Sequence, residues 1–134
     1  MMSSIRSRDT QPELTVRRYL HRLGFRYRLS PRSLPGRPDL VMRKHGVVVF
    51  VHGCFWHGHA GCSFATVPAT RTEFWTGKIA ANRARDDAKS AQLMASGWRV
   101  AVVWECALRA TPDTALQQLV TFIRSRQPTV EIAD

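Results

Sequence analysis

The segment His52-Gly53-Cys54-Phe55-Trp56-His57-Gly58-His59-Ala60-Gly61-Cys62 concentrates most of the chemistry this chain could do: three histidines, two cysteines and two aromatics. Cys106 brings the cysteines to three, an odd number in a chain that opens without an export signal, which argues against a disulfide framework. Three soft thiolates and one imidazole would complete a tetrahedral zinc site. For Cys106 alone, a buried cysteine near a strand end is the plain alternative.

A second chemistry comes from Leu34-Pro35-Gly36-Arg37-Pro38-Asp39. Here a carboxylate sits where a rigid, proline-rich loop enters a strand. Magnesium takes such oxygen donors and fills its remaining positions with water and phosphate. An aspartate that only caps a loop fits the same segment. Downstream, Phe50-Val51-His52 ends a buried strand, and a hairpin would bring Asp39 beside Val51 and His52. His57, with an unperturbed pKa near ~6.5, suits a base taking a proton from water that attacks a phosphate.

These residues need elements to hold them. Thr10-Gln11-Pro12-Glu13 is a helix start, with Glu13 three residues after the cap, and Val16, Tyr19, Leu20 and Leu23 follow at helical spacing up to Gly24. Phe25 to Leu29 alternates as a half-buried strand. Residues 39–42 and 47–51 form strands around a Lys44-His45-Gly46 turn, whereas 53–68 has neither period. Thr70-Arg71-Thr72-Glu73 predicts a second capping box, opening a long helix that Gly97 closes. A buried strand over 99–104 and a helix from Thr111-Pro112 complete the order α-β-β-β-α-β-α. This predicts the α/β (α+β) class, a mixed sheet flanked by helices in one domain of 134 residues, with an arm over 1–9 and a flexible tail over 127–134. On the long helix, Lys78, Asn82 and Asp86 make one polar stripe, which a solvated helix face would also explain.

Charge narrows the partner. The chain carries 20 Lys+Arg against 10 Asp+Glu, a net charge of +10, and most of the surplus lies in the first fifty residues. Such a field draws a polyanion, and nucleic acid is the common one. Arg6, Arg8, Arg37 and Arg71 are the candidate phosphate contacts. No apolar run approaches a membrane span, and the N-terminus lacks a signal-peptide core, so a cytoplasmic protein is expected.

Ser33 to Asp39, His52 to His57, Val67 to Trp75, Gly97 to Val100 and Val103 to Arg109 together resemble the very short patch repair (Vsr) DNA mismatch endonucleases. The resemblance runs over about residues 5 to 126 and implies a restriction-endonuclease-like fold. It implies a magnesium-dependent enzyme that nicks duplex DNA 5′ of the thymine in T·G mismatches left by deaminated 5-methylcytosine. Asp39 then matches the magnesium carboxylate and His57 the general base. His52 matches a second active-site histidine, Asp86 the partner of the catalytic histidine, and Glu13 an acidic residue on the first helix. Cys54, His59, Cys62 and Cys106 match structural zinc ligands; four protein ligands leave no open position for catalysis. Phe55, Trp56 and Trp75 match aromatics that wedge beside the mismatch, where unstacking costs least. Taken one at a time, those aromatics suit a core as well. Lys78 and Asn82 join Arg37 and Arg71 as candidate DNA contacts.

The chain departs from the family at Val51, where better-known members carry threonine; a magnesium contact through the backbone carbonyl needs no hydroxyl. Two residues, Ala60-Gly61, separate His59 from Cys62 where some relatives have one. The expected protein is a monomer acting on mismatched duplex DNA in the bacterial nucleoid, with a mismatch-repair protein as a further candidate partner. Two rivals remain: the same fold nicking other sites, and a catalytically silent, zinc-stabilised DNA-binding module.

Overall fold

The computed structural model describes residues 10–134; the expected arm over 1–9, with Arg6 and Arg8, lies outside the described residues. The elements are helix α1 (Gln11–Arg22), strands β1 (Arg28–Leu29), β2 (Leu40–Met42) and β3 (Val47–His52), helix α2 (Thr72–Ala95), strand β4 (Arg99–Trp104), helices α3 (Glu105–Ala110) and α4 (Pro112–Ile123), and strand β5 (Thr129–Ile132). The strands form one mixed sheet in the order β1-β2-β3-β4-β5. β1, β2 and β3 pair antiparallel, whereas β4 is parallel to β3 and β5 is parallel to β4. Each parallel pair requires a crossover: α2 supplies the first, and α3 with α4 the second.

The period of two along β3 divides the core. Val47, Val49 and Val51 face a large cluster with Val16 and Leu20 of α1 and Leu116, Leu119 and Ile123 of α4. Val48 and Phe50 face a smaller cluster with Val41, Val100 and Leu93 of α2. His52 carries the second parity out to the carboxyl end of the parallel strands, the usual place for a ligand crevice in such sheets.

Thr10 caps α1 reciprocally with Glu13: the Glu13 N–H donates to Thr10 Oγ1 at 3.5 Å, and the Thr10 N–H donates to Glu13 Oε2 at 3.4 Å. The hairpin turn over Lys44-His45-Gly46 forms as expected, with Gly46 at φ +66°. Elsewhere the structure corrects the sequence reading. The strand expected over 25–29 pairs only at Arg28 and Leu29. No capping box forms at Thr70. The Thr72 hydroxyl turns back to donate to the Pro68 and Ala69 carbonyls, Arg71 takes a left-handed conformation (φ 56°), and α2 begins at Thr72. The tail expected to be flexible holds β5, because Ile132 is buried and the strand's backbone pairs with β4. α3 is also additional, so the order is α-β-β-β-α-β-α-α-β. No helix among the described residues is long and apolar enough to cross a membrane.

Candidate active site and metal centre

The loop 30–39 and the end of β3 meet as the hairpin requires. Asp39 precedes β2, and its Oδ2 accepts the Val51 N–H at 2.6 Å. Burial, and a hydrogen bond with the neighbouring Glu13 carboxyl, hold the Asp39 carboxyl well above the usual carboxylate range. Glu13 itself is only 2% exposed and pairs with Arg17 at 3.2 Å. Two carboxyls confined together, with one guanidinium beside them, are hard oxygen donors of the kind a cation such as magnesium takes. Asp39 and Val51 open onto a cavity of about 350 Å³ also lined by Arg37, His52, His57 and Asp86.

Within that cavity His57 Nδ1 lies 2.6 Å from Asp86 Oδ2. Loop 53–68 supplies the imidazole and the second half of α2 supplies the carboxylate, at the i+8 end of the expected polar stripe. His52 stacks on His57, with centroids 3.8 Å apart and planes 4° from parallel. Burial first, and the neighbouring His57 second, push the His52 pKa down to about 3, so this ring stays neutral at physiological pH. Its Nδ1 is buried and has no hydrogen-bond partner among the described residues.

The three cysteines converge with His59. Donor atoms of Cys54, His59, Cys62 and Cys106 all lie within 4.8 Å of one another, a set that could hold a metal ion. The Cys106 N–H donates to Cys54 Sγ at 3.4 Å, and His59 Nδ1 sits 3.5 Å from Cys106 Sγ. Burial pushes the Cys54 thiol up to about 12, with the adjacent cysteines adding to the shift. A cation among the sulfurs would reverse that balance, since thiolates are the ligating form. His52, His57 and Asp86 also gather within 4.8 Å, but parallel stacked rings aim their lone pairs along separate planes rather than at one point.

The aromatics form a chain on the other side of the loop. Trp75 meets Phe55 at 5.5 Å, Trp56 at 5.8 Å and Phe74 at 5.2 Å between centroids, all edge-on. Arg71 caps the exposed Phe74 ring at 4.3 Å. Arg37 donates to the Ser30 carbonyl, and Lys78 is exposed. Asn82 Nδ2 donates to the Trp56 carbonyl at 2.9 Å, and its Oδ1 accepts from Arg85, so in this structure it ties the aromatic loop to α2.

A family model for the DNA mismatch endonuclease Vsr matches residues 1–63. A type II nicking enzyme of Xanthomonas oryzae is 54% identical over 108 residues, 81% of this chain and 79% of that protein. The DNA mismatch endonuclease Vsr of Escherichia coli K12 is 49% identical over 108 residues, covering 81% of this chain and 69% of its own. The chain belongs to the Vsr family. A type II nicking enzyme of Neisseria meningitidis is also similar, at 44% over 109 residues, 81% of this chain and 77% of its own.

In this Vsr chain several site-building residues escape a reading by residue type. Gly58, between His57 and His59, has φ +61°, and a Cβ there would lie 2.4 Å from Ile79 Cγ2. The loop can approach α2 only through that missing side chain. Lys89 and Arg85 also line the cavity, and a Cβ on Gly36 would meet Lys89 Cβ at 2.9 Å. Lys89 is three residues after Asp86 and Arg85 three after Asn82, so each lies beside the polar stripe of α2, the one signal that could have found them. Trp104, at the end of β4, stacks on His59 at 4.1 Å and touches His52 edge-on at 5.2 Å.

Proposed function

We propose that this chain is a magnesium-assisted endonuclease that nicks one strand of duplex DNA 5′ of the thymine in a T·G mismatch. The observation that carries the reading is the His57–Asp86 pair, 2.6 Å apart, facing the cavity that holds Asp39. The Nδ1–H of His57 donates to the Asp86 carboxylate, which leaves the lone pair on Nε2. Nε2 takes a proton from the water that attacks the scissile phosphate. His52, neutral and stacked against His57, keeps that ring in plane and adds no competing charge. Asp39 and the Val51 carbonyl would hold magnesium, with Glu13 beside them; bound there, the ion would supply charge neutralisation at the phosphate.

Cys54, His59, Cys62 and Cys106 hold zinc in this reading, a closed tetrahedral set that fixes the loop carrying His57. Arg37, Arg71 and Lys78 contact phosphates. Phe55, Trp56 and Trp75 enter the stack beside the mismatch, with Asn82 positioned at the same groove. The enzyme acts as a monomer in the cytoplasm.

Relatives named nicking enzymes favour a second reading, the same chemistry at other sites. Nicking measured on T·G, other mismatched and fully paired duplexes, with magnesium and with EDTA, separates the two. T·G preference and loss in EDTA support the proposal; equal nicking of all duplexes contradicts its specificity. DNA binding that survives EDTA with no nicking under magnesium contradicts its chemistry.

A further inference from the structure

The carboxyl-terminal strand touches the site through one side chain. On β5, Glu131 pairs in register with Val102, two residues before Trp104 on β4. A separation of two keeps Val102 and Trp104 on one face of the sheet, so Glu131 and the indole are diagonal neighbours. The Trp104 Nε1–H donates to Glu131 Oε1 at 3.0 Å. Trp104 is 8% exposed and opposes His52 across the parallel pair.

The same indole contacts three imidazoles. It stacks on His59 with centroids at 4.1 Å and planes 6° from parallel, and it meets His52 at 5.2 Å and His57 at 6.5 Å, both at 73°. One ring therefore touches the sulfur-ligand cluster and the catalytic histidines. Dispersion and edge-to-face contacts tolerate sliding and rotation of a ring. A directional bond to its single polar atom does not, and indole nitrogen is a donor only. A cavity of about 240 Å³, lined among others by Glu131, Trp104, His59, His57 and Asp86, lies beside the ring, so packing does not enclose it on that side.

We propose that Glu131 is a positioning residue: through Trp104 it sets the ring planes of His59 at the metal cluster and of His52 and His57 at the cavity. The carboxyl-terminal strand thus belongs to the machinery of the site. The catalytic half of this inference rests on the proposed nicking reaction. The metal half does not. Ile132, buried in the core, and the ladder to β4 hold β5 in place when the Glu131 side chain is shortened. Glutamine keeps an acceptor oxygen and alanine does not.

The test uses the full, zinc-loaded chain as wild type, Glu131→Ala and Glu131→Gln. It reads single-turnover nicking of a T·G duplex with magnesium, DNA affinity, the Trp104 indole N–H resonance (assigned with Trp104→Phe), and zinc release to a coloured chelator. Loss of a bond that orients a ligand typically costs about 10–100-fold, so Glu131→Ala should nick about 10–100-fold slower and release zinc faster by a similar factor. DNA affinity should stay within about twofold, and Glu131→Gln should recover most of both losses. The indole resonance should move in Glu131→Ala and stay near its wild-type position in Glu131→Gln. If Glu131→Ala does not fold, Trp104→Phe removes the same bond from the donor side and should show the same two losses. Wild-type rates in Glu131→Ala, or equal losses in the alanine and glutamine variants, would overturn the proposal. Should wild type nick no duplex, the proposed reaction falls, and the resonance with zinc release still decides the positioning role.

Discussion

The two polar clusters at the carboxyl end of the sheet are built on opposite plans. Cys54, His59, Cys62 and Cys106 point four donors at one another, two of them fully within the core. Asp39, His52, His57 and Asp86 instead surround open space, facing a cavity of about 350 Å³, with Glu13 buried behind Asp39. The first is closed and soft, which suits an ion that holds a loop. The second is open and hard, which suits water, phosphate and an exchangeable cation. The comparison teaches a division of labour. Loop 53–68 has almost no regular structure, so in the proposed reading a metal in the closed cluster would supply the rigidity that the open one needs.

Breaking the closed cluster should therefore have the largest effect. Cys106→Ala should lose bound metal and, with it, the loop that carries both His57 and the aromatics, so nicking and DNA binding disappear together. Metal content by mass spectrometry under native conditions checks the first part and gel retardation the second. Metal loss with full nicking would break the division outright.

Gly58 sharpens the same comparison. Gly58→Ala meets both a left-handed backbone and the 2.4 Å approach to Ile79. A destabilisation of about 2–4 kcal/mol is expected from strain plus overpacking. Gly61 has φ +68° but nothing within 4 Å of a Cβ, so Gly61→Ala is the internal control. It should lose only about 1–2 kcal/mol. Equal losses in denaturant titration would show that the loop does not need its close approach to α2.

The smallest effect has the opposite sign. In the folded protein, burial and Glu13 keep Asp39 protonated to a higher pH than in the unfolded chain. Between those two pKa values the folded state binds more protons, so this group's contribution to stability falls as pH rises. Asparagine cannot ionise. Without divalent cations, Asp39→Asn should melt above wild type at neutral pH by about 2–4 °C, and the gain should vanish at acid pH where Asp39 is protonated in both states. The variant should not nick. A melting curve lower than wild type at neutral pH would mean that the carboxylate is not strained by its surroundings.

Much of this arrangement is legible in the sequence, for local reasons. Thr10 and Glu13 are three residues apart, and the 43–46 turn sits between two apolar runs, so the first helix and the hairpin follow from neighbours in the chain. The hairpin alone brings Asp39 to Val51. What escaped depends on distant partners. β5 is four residues long and has no meaning until β4 lies beside it. Thr70 carries a capping pattern, but the bonds from Thr72 to Pro68 and Ala69 take the chain another way. Gly58 and Glu131 act through residues far away in sequence, Ile79 and Arg83 for the first and Trp104 for the second, which no spacing rule connects to them.

The central claim is that the Asp39 carboxyl and the His57 imidazole act on one phosphodiester. Nick mapping on an end-labelled T·G duplex, under single turnover, with Asp39→Ala and His57→Ala proteins of verified metal content, tests it most directly. Removing a positioned general base or a metal carboxylate costs about 10²–10⁴-fold in rate, so both variants should bind the duplex, keep their sulfur-bound metal and cut at least about a hundredfold more slowly. Cutting at the wild-type rate and position by either variant would contradict it.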